Sequence, residues 1–155
     1  MTDVTLDVKY DTATQPTGYQ LTNKANFYYR YTDGNAGSDN GDVKYTVDTT
    51  PGSNKKFEIK FGNDTEKSRF DMEDFTFYEC GTTDCSSLAC GSIPSSCSES
   101  SLFTDDGSVS NKNKVKVKDD ITEAGIGIYR VEVSYSYDGV DETWILCDPR
   151  WQNEV

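Results

Sequence analysis

The chain of 155 residues contains no histidine, and this absence restricts the chemistry available to it. Hydrolase mechanisms that depend on imidazole as a general base are excluded. Carboxylates are the remaining general acids and bases, and there are 27 Asp and Glu residues. Because most of these are expected to be solvated loop charges, residue type alone singles out no catalytic carboxylate.

Long apolar runs and an excess of positive charge are also missing. No apolar run approaches the roughly 18 residues of a membrane helix, and the sequence begins without the basic and apolar regions of a signal peptide. The net charge of −12 disfavours binding to nucleic-acid phosphates or anionic lipids. We therefore expect no nucleic-acid partner, no membrane partner, no cofactor and no metal site. A cytoplasmic location is favoured unless the cysteines are oxidised.

The only concentrated basic segment is Lys112–Lys118. Its lysines alternate with asparagine and valine, a spacing that predicts the solvated face of a strand. Exposed lysines on an edge strand would also discourage pairing with other chains.

Alternation of apolar and polar residues recurs along the chain and predicts β-strands. The longest alternating segment is Tyr129–Tyr137, followed at Asp138–Gly139 by a loop that we expect to be longer than two residues. Shorter alternating segments begin at Val4, Val43, Phe57 and Val115. The aromatic segment between Tyr19 and Tyr31 is also interpreted as a strand. Seven or eight short strands predict one antiparallel β-sandwich domain, residues 1–155, immunoglobulin-like with Greek-key connections.

Tyr129 lies two residues before a core-facing position at the start of the longest predicted strand. This is the arrangement of a tyrosine corner, in which the phenol ties down the preceding connection in immunoglobulin-like sandwiches. An ordinary core aromatic is an equally good interpretation.

The five cysteines fall into two groups. The Ser- and Gly-rich segment 80–97, a loop insertion with little to pack, contains Cys80, Cys85, Cys90 and Cys97. We favour two disulfides among them, although three pairings are possible. Zinc is the alternative, but the spacing lacks the short knuckle of structural sites, and free thiols fit a cytosolic protein. Cys147 is expected to be a buried, reduced residue of the final strand.

The Asp148–Pro149 bond is the most chemically suggestive feature of the sequence. Proline nitrogen is a comparatively basic leaving group, and the Asp148 carboxylate lies one methylene from its own carbonyl carbon. That carboxylate could act as an intramolecular acid or nucleophile, so that the bond cleaves itself. Alternatively, the final strand simply stops where proline removes a hydrogen-bond donor from the ladder.

The end of the chain resembles the small marine-bacterial DP-EP proteins. The resemblance rests on the strand Tyr129–Tyr137, a glycine-containing turn, and a final strand that runs into Asp148–Pro149 and Asn153; it covers roughly the last 30 residues. It implies a sandwich or barrel that forms homo-oligomers and cleaves its own Asp–Pro bond, with Asp148 and Pro149 as the cleavage pair. The segment 80–97 departs from the family, and no second catalytic carboxylate can be matched. Bacterial inclusion-body proteins, sandwiches without known catalysis, have a similar ending.

Two functions therefore remain open. One is a self-processing aspartic-type peptidase acting at Asp148–Pro149. The other, which we favour, is a homo-oligomeric or ligand-binding sandwich without robust catalysis, whose ligand the sequence does not identify. Ten tyrosines and seven phenylalanines are many for so little aliphatic core, and aromatic residues are enriched at subunit contacts.

Overall fold

The computed structural model describes residues 3–36, 40–80, 97–107 and 111–155, and for residues 144–148 it describes the backbone alone. All regular secondary structure in these ranges is β-strand, as predicted. The strands are β1 (Val4–Tyr10), β2 (Gln20–Leu21), β3 (Phe27–Asp33), β4 (Val43–Thr46), β5 (Asn54–Phe61), β6 (Phe70–Glu79), β7 (Ser98–Glu99), β8 (Phe103–Asp105), β9 (Lys114–Asp120), β10 (Gly125–Tyr137) and β11 (Val140–Glu154).

The strands form two open sheets that pack face to face. Sheet A has the order β2-β3-β1-β5-β9-β8, and sheet B has the order β4-β11-β10-β6-β7. Most neighbouring strands are antiparallel, but β1 pairs with β5 and β11 pairs with β4 in parallel. The predicted two-sheet sandwich is confirmed, whereas its sheets are mixed and not purely antiparallel. Local alternation could not reveal these two pairings, because each joins strands far apart in the chain.

The hairpin of β10 and β11 forms the centre of sheet B. Tyr137 pairs with Val140, so the turn contains only Asp138 and Gly139, which both have positive φ. Two such residues fit a type I′ turn, whose twist matches that of the flanking strands. The prediction of a longer loop at this point is wrong.

Aromatic side chains fill much of the space between the sheets. Phe77 stacks on Phe103 and on Tyr129, with ring centroids 3.9 and 4.6 Å apart, and Trp151 meets Phe103 edge to face. Among the described residues, the buried tyrosines and phenylalanines are Tyr19, Tyr28, Tyr29, Tyr31, Tyr129, Tyr135, Phe27, Phe57, Phe61, Phe70, Phe77 and Phe103. The core therefore takes up aromatic residues that the sequence suggested for subunit contacts.

The lysine-rich segment forms an inner strand. β9 lies between β5 and β8, so its proposed role as an edge strand is wrong for most of its length. Its lysines are half-exposed, and Lys114 forms an ion pair with Glu58 of β5 at 3.2 Å. Lys112 just before β9 pairs with Glu73 of β6 at 2.9 Å. Neighbouring carboxylates thus balance the basic segment.

A disulfide joins Cys80 to Cys97. It connects the end of β6 to the residue before β7, two strands that also pair with each other. Cys85 and Cys90 lie outside the described residues, as does the side chain of Cys147. One of the predicted cysteine pairings is thereby defined.

Candidate functional site

The Asp148–Pro149 bond lies within β11, beside β10 and just before the segment Trp151–Glu154 that pairs with β4. Arg130 of β10 pairs with Cys147, and Ile128 pairs with Arg150, so two residues of β11 face the single residue Tyr129. This is the arrangement of a β-bulge, one of the few places where a strand tolerates a proline. The strand does not stop at Pro149, as one interpretation predicted, but continues to Glu154.

A turn from a distant part of the chain covers this bulge. Pro149 is buried, and a Cβ atom placed on Gly41 would lie 3.1 Å from its Cγ atom and 2.9 Å from the Cβ atom of Tyr31. Gly41 also has a φ of 88°, in the left-handed region that favours glycine. Both the backbone conformation and the close approach therefore require glycine here.

Asp42 links this turn to the residue that follows the proline. Its Oδ1 atom accepts a hydrogen bond from the backbone N–H of Arg150 at 2.7 Å. The side chain of Asp42 is buried, and its contact with Arg150 spans 108 residues of sequence. Asp42 therefore contacts the residue that directly follows Asp148–Pro149, and the sequence did not identify it as a candidate. In the sequence, Asp42 belongs to a glycine-rich turn. Such turns are common in loops, so this pattern did not single the residue out.

Tyr129 is a core residue and does not form a tyrosine corner. Its hydroxyl donates a hydrogen bond to the carbonyl oxygen of Gly41, whereas a corner would bond to the connection just before β10. Burial raises the pKa of Tyr129 well above its usual range, and nearby Tyr31 and Asp42 raise it further. The phenol therefore stays protonated and remains a donor to the turn.

A second concave site, here called the polar cleft, lies where the end of β1, the start of β6 and the end of β10 meet. Its volume is about 250 Å³, just below the range that is usual for ligand sites. It is lined by Val8, Lys9, Tyr10, Asp11, Asp64, Glu66, Arg69, Phe70 and Tyr135. Both sheets contribute to it, so the fold itself defines its shape.

Aromatic rings form the apolar part of the polar cleft. The ring centroid of Tyr135 lies 5.0 Å from that of Tyr10 and 4.8 Å from that of Phe70. Tyr135 and Phe70 are buried, while Tyr10 is half-buried. The ring of Tyr10 is therefore the aromatic surface that a ligand could contact.

Charged groups of both signs surround these rings. The Asp11 carboxylate accepts hydrogen bonds from the N–H groups of Ala13 and Thr14 at 2.8 and 3.1 Å. These bonds lower the pKa of Asp11, so it is ionised at neutral pH. Glu66 and Arg69 form an ion pair at 3.0 Å. The cleft thus offers both donors and acceptors at its rim.

A buried polar cluster holds one wall of the polar cleft in place. Asp7 is 4% exposed and accepts hydrogen bonds from the hydroxyl of Thr65 at 3.0 Å and from Arg30 at 3.3 Å. Arg30 also bonds to Asp64 at 2.9 Å, and Tyr19 donates to Asp64 at 3.2 Å. Burial raises the pKa of Tyr19, with a further contribution from Asp7. These contacts fasten the β5–β6 connection onto the outer face of β1.

Of the predicted site residues, Pro149 lies in the bulge and Cys80 is bonded to Cys97, while the side chain of Asp148 lies outside the described residues. No group of three or more Cys, Asp or Glu residues in the described part of the chain is arranged to hold a metal ion. None of the described residues forms a helix long and apolar enough to cross a membrane.

The chain matches no protein-family model, and no curated protein matches it.

Proposed function

We propose that the protein is a ligand-binding β-sandwich without catalytic activity, and that the polar cleft is its binding site. One observation carries this proposal. A single concave site formed by both sheets combines an accessible tyrosine ring with charged groups of both signs. Clefts with an apolar surface and a few convergent polar groups are the usual form of small-molecule sites.

The chemistry of the cleft favours a neutral, sugar-sized polyhydroxylated ligand. Its hydroxyl groups can accept from the ammonium group of Lys9 and donate to the carboxylate of Asp11, while its C–H face packs on the ring of Tyr10. The net charge of −12 disfavours an anionic ligand. The volume of about 250 Å³ suits a single ring.

Binding can be tested by titrating a panel of neutral mono- and disaccharides and observing saturation transfer by NMR. Asp11→Asn should weaken binding by about tenfold, because it removes a charged acceptor. Asp48→Asn is the matched control, since Asp48 also accepts a backbone N–H two residues ahead, from Thr50 at 2.9 Å, but lies outside the polar cleft. Absence of binding to the whole panel, or equal weakening by both variants, would contradict the proposal.

The proposal of a homo-oligomer now has less support from aromatic residues. Among the described residues, the large hydrophobic side chains that are clearly exposed are Leu21, Tyr137 and Val155. Of the aromatic residues on which the expectation depended, Tyr137 is the exposed one, and the guanidinium of Arg69 lies 3.4 Å from its ring centroid. Size-exclusion chromatography with light scattering would decide the oligomeric state.

Self-processing at Asp148–Pro149 is the second candidate, and the position of Asp42 favours it. Asp42 bonds to the N–H of Arg150 and could supply the second carboxylate that an aspartic-type mechanism uses. In such a step, the Asp148 carboxylate would attack its own carbonyl carbon to form a cyclic anhydride, or Asp148 would protonate the carbonyl while water attacks it. The C–N bond would break, the nitrogen of Pro149 would take up a proton and leave as a new amino terminus, and water would open any anhydride formed. This candidate predicts that Asp148→Ala and Pro149→Ala abolish a cleavage seen in the wild type, and that Asp42→Asn slows it. Equal cleavage in wild type and Asp148→Ala would exclude it.

A further inference from the structure

A carboxyl group and an amide meet in the interior of the sandwich, between the two sheets. Asp119, near the end of β9, belongs to sheet A, and Asn153, near the end of β11, belongs to sheet B. Asp119 is fully buried and Asn153 is 2% exposed. The Nδ2 atom of Asn153 donates a hydrogen bond to Oδ1 of Asp119 at 2.9 Å. This bond links the two sheets through their interior.

The remaining oxygen of each side chain lacks a donor. Oδ2 of Asp119 and Oδ1 of Asn153 are both buried, and neither is hydrogen-bonded to any described residue. An ionised carboxylate and an amide carbonyl can only accept, so ionised Asp119 leaves two buried acceptors without a partner, at a substantial cost. A single proton on Oδ2 of Asp119 would satisfy both atoms, because its O–H could donate to Oδ1 of Asn153.

The surroundings of Asp119 do not balance a negative charge. Opposite Asp119 stand Lys55 in β5 and Phe103 in β8; Lys55 is exposed, and Asp119 forms no ion pair within the described part of the chain. Tyr45, opposite Asn153 in β4, carries a phenol and brings no positive charge. The neighbours of Asp119 in the chain are Lys118, which is half-exposed, and Asp120, which is exposed and of the same sign; successive side chains of a strand point to opposite faces, so Lys118 does not face the buried carboxyl group.

Burial raises the pKa of Asp119 to about 6; the hydrogen bond from Asn153 lowers it, and the neighbouring charge of Asp120 raises it. A hydrogen bond from protonated Oδ2 to Asn153 would favour the neutral form further, since bonds made by the neutral form disfavour ionisation. The direction of the shift thus agrees with the geometry of the pair.

We propose that Asp119 is a proton-binding site that fastens β9 to β11. In its neutral form, the acid pairs with Asn153 through two hydrogen bonds, with each side chain donating one and accepting one. Ionisation removes one of these bonds and leaves Oδ2 of Asp119 and Oδ1 of Asn153 buried without a donor. The attachment of the last strand to sheet A therefore weakens as the pH rises.

The variant Asp119→Asn tests this proposal, because an amide at this position can form two hydrogen bonds with Asn153 at every pH. We expect the folding equilibrium constant of the wild type, relative to that of Asp119→Asn, to fall by up to about tenfold per pH unit between pH 4 and pH 6. Urea unfolding at a series of pH values measures this ratio. Asp120→Asn, which changes the exposed neighbouring carboxylate, should retain the pH dependence of the wild type. A ratio that does not vary with pH would overturn the proposal.

The wild type alone provides a second test, which holds even if Asp119→Asn does not fold. The ¹³Cγ resonance of Asp119 should titrate at about pH 6 or above. A midpoint for Asp119 near the ordinary value of about 4 would overturn the proposal. So would a wild type whose stability at about pH 7.5 rises with added Na⁺, K⁺ or Ca²⁺ but not with choline, since a bound cation would then occupy the position of the proton.

Discussion

Two buried aspartates hold the last strand, β11, and the comparison between them shows that partners decide what a buried carboxylate does. Near the bulge, Asp42 accepts the backbone N–H of Arg150 at 2.7 Å. Near the end of the strand, Asp119 accepts the side-chain amide of Asn153 at 2.9 Å. A backbone N–H brings no acceptor of its own to the contact, whereas the amide side chain brings a carbonyl that also needs a donor. The first contact is complete with an ionised carboxylate, and the second is complete only with a proton.

The largest expected effect comes from Asn153→Ala, which removes the one hydrogen-bonding partner of Asp119 among the described residues. Burial raises the pKa of Asp119 from 3.8 to about 6, so the acid is neutral at pH 4.5, where the proposed pair with Asn153 makes two hydrogen bonds. Because the pKa of Asp119 is higher in the folded protein than in the unfolded chain, the stabilisation that neutral Asp119 provides is fully present below the pKa of the unfolded state. It is lost as the pH rises through the pKa of the folded state. We expect a loss of about 3 kcal/mol at pH 4.5, where the neutral pair makes both hydrogen bonds, and about half of that at pH 7.5.

Urea unfolding at the two pH values measures this difference. Gln152→Ala is the control, because the Gln152 side chain bonds only to its neighbour Glu154, at 3.3 Å, and its loss should change stability by less than about 0.5 kcal/mol. An equal loss at both pH values for Asn153→Ala would mean that Asp119 does not change its charge in this range.

A smaller loss of stability is expected at the bulge. Two variants of Asp42 separate the effect of its acceptor oxygen from the effect of its negative charge. Asp42→Ala removes the acceptor from the N–H of Arg150 and should lower the free energy of unfolding by about 2 kcal/mol. Asp42→Asn keeps an acceptor oxygen and should cost less than about 1 kcal/mol. Thermal or urea unfolding of the two variants measures both values. If they are equally destabilised, the charge of Asp42 and not its hydrogen bond is what holds the turn.

The smallest expected effect concerns the phenol beneath the same turn. Tyr129→Phe removes the hydrogen bond to the carbonyl oxygen of Gly41 and should cost about 1 kcal/mol. Amide hydrogen exchange should show faster opening of residues 40–42 in this variant. No change in stability or exchange would indicate that Asp42 alone is sufficient to anchor the turn.

The sequence predicted the parts of this account that depend on local alternation. The segments Val4–Tyr10 and Tyr129–Tyr137 form β1 and most of β10, because a buried face repeats every second residue in a strand. The bulge at Pro149, the role of Asp42 and the pairing of Asp119 with Asn153 were not predicted. Each depends on a contact between residues far apart in the chain, and composition and spacing carry no information about such contacts. The pairing of Cys80 with Cys97 was one of several that four cysteines allow.

The proposed absence of catalysis rests on one central expectation, that the Asp148–Pro149 bond is held in the bulge of β11 and is not cleaved. The most direct test is the intact mass of the purified, folded protein after prolonged incubation at mildly acidic pH, compared with a urea-unfolded sample that reports ordinary acid lability of the bond. We expect the folded protein to retain the mass of the whole chain at least as well as the unfolded sample does. Loss of residues 149–155 that is faster in the folded protein than in the unfolded one, and absent from Asp148→Ala, would contradict the claim and establish self-processing.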